Sequence, residues 1–319
     1  MSERARLSTM PFIDPQRDPS RQYVEIKAPR PKPLPRALRP LRAEIAGAGR
    51  SRDLETWVAE THTTALLVHD GELGSGTVVH EWYADGVTPE SLLLGASMTK
   101  SVLAHLVGRA ARAGNLHLDD AVVEQVPGLA DSGYAGCTVE HVLTMTTGVA
   151  WVEDHRDPTG PASRLIVCFA GDGGDSRALL TQVPRQRPGR RRHGRVRGGL
   201  AAAGRASAHR QVVRRSGARP GVGAALVHPR WPWLQPARLP SSITTHAGIG
   251  YHWWPLDTQG VRVTSDGSRG QFGYVDRDLE VAVLKTSLWP YDDWLVDRQL
   301  RDLSYLGLPL VAAAARKRP

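Results

Sequence analysis

The β-rich runs of this chain fall in two places far apart in sequence, about residues 61–88 and 248–287, and the stretch between them starts with helical periodicity. Strands separated in this way can share one sheet only if the sheet draws on both chain ends and the middle forms an insertion. In the first run TTALLVHDG turns into TVVHEWYADG, which reads as a hairpin with a slightly long connection. In the second, GYHWWPL, VRVTSDG, GQFGYVD and LEVAVLKTS are short runs between turn residues, as in an antiparallel meander. A final helix is expected over about Asp292–Leu303. The expected fold class is α+β: an antiparallel sheet flanked by helices, with an inserted helical part at about 96–183.

Within that frame, Asp53 is placed to cap a short helix over Leu54–Ala59. After Pro89, Val102, Leu103, Leu106, Val107 and Ala110 recur at helical spacing, and Gly114 sits where a C-cap would stop the helix. Thr138–Met145 reads as a second helix with Thr138 as N-cap. Residues 1–52 are rich in Pro and Arg and show neither periodicity, so they read as an extended N-terminal arm ahead of a domain at 53–319.

Charge is distributed unevenly. The 319 residues carry 41 basic and 32 acidic side chains, but Pro184–Pro240 alone holds 14 arginines with no Lys, Asp or Glu, which leaves 27 basic against 32 acidic elsewhere. The basicity belongs to one anomalous segment laid on a mildly acidic protein. A stretch such as RPGRRRHGRVRGG, with few large apolar residues and no counter-charge, resists burial and reads as disordered. Cys137 and Cys168 are the only cysteines and lack C-x-x-C spacing, and the 12 histidines show no ligand spacing, so no metal, redox pair or other cofactor is expected. With no leader-like start and no apolar run long enough to cross a bilayer, the expectation is a cytoplasmic chain without a membrane partner.

The residues that carry chemistry are Ser97-Met98-Thr99-Lys100, at the start of the helix after Pro89. At i and i+3 on a helix two side chains share a face, so the Lys100 amine can reach the Ser97 hydroxyl and take its proton. That role needs a neutral amine, so the sequence calls for a dry site or a neighbouring cation to bring the lysine down from its usual value of about 10.4. The free N–H groups of a helix start favour the developing alkoxide.

S-x-x-K follows a β-hairpin and the turn-like DGVTPES, opens an apolar helix, and precedes LHLDDAVVEQVPGL and TVEHVLTMTTGV. In that context the chain resembles the β-lactamase and penicillin-binding-protein group of serine hydrolases, closest to the class C-like esterases and 6-aminohexanoate-dimer hydrolases. The resemblance spans roughly Leu54–Gln182 and Leu239–Leu310. It implies a β-lactamase/transpeptidase-like fold, a small-molecule amide or ester substrate, and an acyl-enzyme on Ser97 with Lys100 as proton acceptor. It also implies a third motif on an edge strand, for which Ser268, Arg269, Gly270 and Gln271 occupy the place of H-G-G-Q or K-T-G-S. The backbone N–H groups of Ser97 and Gln271 would then form the oxyanion hole. Two further matches, Ser265-Asp266-Gly267 and Lys285-Thr286-Ser287, read as a turn and a strand terminus.

One part of the family pattern is missing. No tyrosine lies between Tyr134 and Tyr251, where the second-motif tyrosine belongs, and the acid-free arginine segment, about 184–240, fills that interval. ALLTQVPRQRPG before it and RLPSSITTHAGIGYHWW after it resemble the family, so the break is abrupt at both ends. A shifted reading frame or rearranged gene accounts for such a discontinuity and implies an incomplete helical subdomain and an impaired or inactive enzyme. Sequencing the gene with its transcript tests this, and an uninterrupted frame shared by close relatives would defeat it. Tyr134 and His155 are the candidate substitutes for the tyrosine. An alternative of another class, nucleic-acid binding through the arginines, predicts only non-specific, salt-sensitive contact, because RRRHGRVRGG has almost no aromatic interleaving and the sequence shows no helix-turn-helix or zinc-finger pattern.

Overall fold

The computed structural model describes residues 29–30, 32–47, 49–72, 75–151, 157, 159–170, 176–185, 249–257, 259–289 and 294–316. The arginine segment, save its first two residues, and His155 therefore lie outside the described residues. The chain divides into two units, of which the first holds residues up to 102 together with 228–249 and 253–319, and the second residues 103–227 with 250–252.

The first unit is built on a six-stranded antiparallel sheet in the order β4-β3-β8-β7-β6-β5. Its strands are β3 (Thr63–Asp70), β4 (Thr77–Tyr83), β5 (Trp254–Pro255), β6 (Arg262–Gly267), β7 (Gln271–Asp276) and β8 (Val281–Ser287). The hairpin and the meander form as their periodicity requires. The two chain ends meet where β3 pairs with β8, from Thr63 opposite Ser287 to Asp70 opposite Val281. Alternation sends Leu66, Val68, Phe272, Tyr274, Val281 and Val283 into one core.

Two helices complete that core. Helix α1 (Leu54–Glu60) starts at Asp53, whose side chain accepts from the Thr56 N–H as an N-cap should. Helix α7 (Trp294–Arg316) runs well past the expected end and carries Pro309 inside it. Its apolar stripe of Leu308, Val311, Ala312 and Ala315 is buried in the core, and that burial carries the helix through the proline.

For residues 44–52 the reading as an arm without strands is corrected. Strands β1 (Glu44–Gly47) and β2 (Arg50–Asp53) form a two-stranded antiparallel sheet, and Ile45 is fully buried in the main core. Only alternate residues of so short a pair face inward, Ile45 of β1 and Arg52 of β2, so no period emerges from the sequence.

Helix α2 (Met98–Arg112) forms as expected and Gly114 takes a positive φ of 78° just past its end. Its apolar stripe behaves differently: Ser101 and Ala104 are buried, while Val102, Leu103 and Leu106 stay more than half exposed. Periodicity locates the helix without telling which face is covered.

The second unit contains the rest of α2, α3 (Val122–Gln125), a 3-10 turn at Pro127–Leu129, α4 (Val139–Leu143), α5 (Pro161–Ala170) and α6 (Ser176–Thr181). Thr138 caps α4 in a reciprocal capping box with His141. Ala104 and Leu143 form a small core with Val107, Leu118, Val139 and Tyr251. The Tyr251 hydroxyl donates to Glu140 at 3.0 Å, and burial together with that carboxylate pushes the phenol well above its ordinary range. The chain up to Arg185 is tied in by Gly133 N–H to Val183 O and Ala150 N–H to Pro184 O, both 2.8 Å.

Candidate active site

Ser97 sits at the elbow where the chain enters α2. Ala96 before it has φ 45°, a left-handed conformation that a residue with a β-carbon adopts only at a cost. The turn is held by the Met98 N–H on Gly95 O at 3.0 Å, the Lys100 N–H on Ser97 O at 3.0 Å and the Thr99 hydroxyl on Ala96 O at 2.6 Å. Its result is the predicted pair: Lys100 Nζ lies 2.5 Å from Ser97 Oγ.

The pair is not dry. Ser97 is part-exposed and Lys100 is exposed, so the expectation of a jointly buried hydroxyl and amine is corrected. The i, i+3 spacing fixes contact between the two side chains, but burial depends on what other parts of the chain lay over them, which local spacing does not specify.

The third-motif residues lie beside this elbow. Ser268, Arg269 and Gly270 form the turn between β6 and β7, and Gln271 opens β7 opposite Gly267. A β-carbon on Gly267 would come within 2.6 Å of Gly95 O and 2.8 Å of the Met98 nitrogen, so its backbone lies directly against the residues flanking Ser97. Arg269 and Gly270 both take positive φ, 66° and 87°, and Ser268 is exposed while Arg269 is buried. At Gly270 the need for glycine is double, because a β-carbon there would also lie 2.3 Å from the Trp289 ring.

Two points differ from expectation. β7 is an interior strand, because it pairs with β6 on one side and β8 on the other, and the two-residue β5 beyond β6 takes the edge. And Ser265-Asp266-Gly267, read as a turn, closes strand β6, whereas Lys285-Thr286-Ser287 ends strand β8 as expected; both are buried. Asp266 on β6 is 6% exposed and accepts from Arg301 and from the Tyr305 hydroxyl of α7; Lys285 on β8 is fully buried. Their burial on the core face follows from register, since Asp266 and Lys285 both pair with Phe272 from opposite sides. Sequence reasoning missed Gly267 as the point of contact with the Ser97 elbow. The signal available was its place immediately before the four third-motif residues.

Gln271 is buried and spends its side chain inside the sheet: Nε2 donates to Ser287 O at 2.7 Å and Arg269 O at 3.2 Å, and Oε1 accepts from the Ser287 N–H at 3.3 Å. Tyr134 lies in the second unit, its N–H on Ser132 Oγ at 3.1 Å, and burial raises its phenol. Among the described residues no group of three or more His, Cys, Asp or Glu could hold a metal ion, and no helix is long and apolar enough to cross a membrane.

Residues 67–203 match the Beta-lactamase family model. A curated 6-aminohexanoate-dimer hydrolase from Paenarthrobacter ureafaciens is 37% identical over 111 residues, 35% of this chain. That match spans about a quarter (27%) of the relative's length. The solved structure of a candidate 6-aminohexanoate-dimer hydrolase from Bacillus anthracis superposes with a TM-score of 0.55 at 15% identity, over 86% of each chain. A candidate beta-lactamase from Bacteroides dorei follows at 0.45 and 15% identity, over 82% of this chain and 95% of that one. The chain thus has the β-lactamase/transpeptidase-like fold, and it is similar to the Beta-lactamase family over residues 67–203 and to a 6-aminohexanoate-dimer hydrolase over 111 residues.

Proposed function

We propose that this chain is a serine hydrolase that cleaves a small amide or ester through an acyl-enzyme on Ser97, with turnover impaired because the second-motif tyrosine is missing. The observation that carries the reading is the 2.5 Å contact between Lys100 Nζ and Ser97 Oγ at an elbow pressed against the β6–β7 turn. In the step proposed, Ser97 Oγ attacks the substrate carbonyl carbon while its proton passes to Lys100 Nζ. The carbonyl oxygen becomes an oxyanion, for which the backbone N–H groups of Ser97 and Gln271 are the proposed donors. Loss of one such donor typically costs about 3–4 kcal/mol of barrier. Collapse expels the amine or alcohol, which takes the proton from Lys100, and water then releases the acid and restores Ser97.

A second reading, a family member without activity, is favoured by two observations: Lys100 is exposed, and no tyrosine occurs between Tyr134 and Tyr251. A fluorophosphonate and a penicillin-type probe separate the two. Labelling of the wild type that disappears in Ser97→Ala supports the hydrolase, and no labelling of folded wild type at high protein concentration supports the inactive member. Tyr134→Phe and His155→Ala, run beside them, ask whether either residue stands in for the tyrosine.

A further inference from the structure

Lys285 is the most completely buried basic side chain among the described residues, with no exposed surface at all. Its amine nitrogen is enclosed by three rings: Trp57 at 5.5 Å, Phe272 at 5.7 Å and Trp289 at 5.8 Å. Its hydrogen-bond partners are the Ser287 hydroxyl and, at 3.5 Å, the Thr61 carbonyl, which also accepts from Trp289 Nε1 at 2.9 Å. Among the described residues no carboxylate pairs with it; Asp266, a buried acid on β6, is taken by Arg301 and Tyr305. A lysine held this way costs stability relative to an apolar side chain of the same length, because a dry, apolar cage penalises its charge and leaves few hydrogen-bond acceptors.

What the lysine touches leads to the third motif by two routes. Ser287, which it contacts, exchanges two main-chain hydrogen bonds with the Gln271 side chain, and Gln271 also holds the Arg269 carbonyl of the turn. Trp289, one wall of the cage, packs its ring on Gly270, and its main-chain N–H reaches Arg269 O at 3.5 Å. The turn so held is the one whose Gly267 abuts Gly95 and Met98 on either side of Ser97.

We propose that Lys285, acting through Ser287 and Trp289, is a positioning residue that fixes the β6–β7 turn and Gln271 against the Ser97 elbow. This rests on the hydrolase reading given above for its catalytic consequence, but not for its structural one. Lys285 touches no reacting atom; it sets where the backbone donors of the turn stand. A misplacement of about 1 Å at such donors costs on the order of a hundredfold in rate.

The test compares full-length wild type with Lys285→Met, Ser287→Ala and Ser287→Thr. Three readouts are taken: amide hydrogen exchange of the peptide spanning residues 267–272, thermal melting, and the rate of Ser97 labelling by a fluorophosphonate as a function of probe concentration. The proposal predicts faster exchange in that peptide for Lys285→Met and Ser287→Ala. It also predicts a maximal labelling rate at least about tenfold lower with little change in half-saturating concentration, and recovery of both in Ser287→Thr. Melting of Lys285→Met is expected at or above that of wild type, which separates positioning from general loss of stability. Unchanged exchange in both variants overturns the proposal. If wild type takes no label, the hydrolase reading fails, and the exchange result still decides whether Lys285 holds the turn. Should Lys285→Met not fold, exchange in Ser287→Ala against Ser287→Thr decides the same question.

Discussion

Gly267 approaches Gly95 so closely that a β-carbon on it would lie 2.6 Å from the Gly95 carbonyl oxygen. Backbone therefore packs on backbone where the β6–β7 turn meets the Ser97 elbow, with no side chain able to give way. Gly267→Ala forces one of the two segments to move. An overpacked contact of this kind costs about 1–3 kcal/mol, measurable as a shift in the denaturation midpoint, and Ser97 labelling should fall with it. A variant as stable and as reactive as wild type would show that the two segments are not in register contact.

Lys100→Met keeps the length of the side chain and removes the amine. Because Lys100 is exposed, stability should change little, whereas loss of a positioned proton acceptor should slow labelling of Ser97 by about 10²–10⁴-fold. Paired melting and labelling measurements check this, and a rate within twofold of wild type would remove Lys100 from the mechanism.

Burial holds the Lys285 amine well below the usual lysine range. Between that depressed value and the ordinary one of about 10.4, the unfolded chain binds a proton that the folded chain does not, so stability rises with pH across the window. The slope is about 1.4 kcal/mol per pH unit for one such group. Below the folded value, and above about 10.4, the dependence vanishes. Urea titrations of wild type and Lys285→Met over this range should diverge as pH falls, with wild type the less stable, and parallel curves would mean that Lys285 is charged in the fold.

Ile45 lies in a segment whose sequence reads as an arm, yet it is fully buried in the main core. Ile45→Ala should cost about 2–5 kcal/mol by denaturant titration. A cost near zero would return residues 44–53 to the role of a passive extension.

Legibility in the sequence follows the range of the interactions. Elements set by local chemistry are readable: the Asp53 and Thr138 caps, the TTALLVHDG hairpin, the four-run meander and the helix opened by Ser97 each depend on residues within a few positions. So is the Lys100–Ser97 contact, which i, i+3 geometry alone provides. What is not readable depends on distant partners. Strand β6 is not an edge only because Trp254-Pro255 adds beyond it, and Lys285 is a core residue only because Trp57 and Trp289, far away in sequence on one side and beside it on the other, close around it. Helix α7 passes Pro309 because tertiary burial outweighs the lost hydrogen bond, a balance that a proline in isolation does not disclose.

The measurement that bears most directly on the hydrolase reading is intact-protein mass after incubation with a fluorophosphonate, followed by peptide mapping, on wild type and Ser97→Ala of matched melting temperature. The expected result is one adduct per chain on the peptide containing Ser97, absent from the variant. An unmodified wild-type mass in demonstrably folded protein, or an adduct that persists in Ser97→Ala, would contradict that reading.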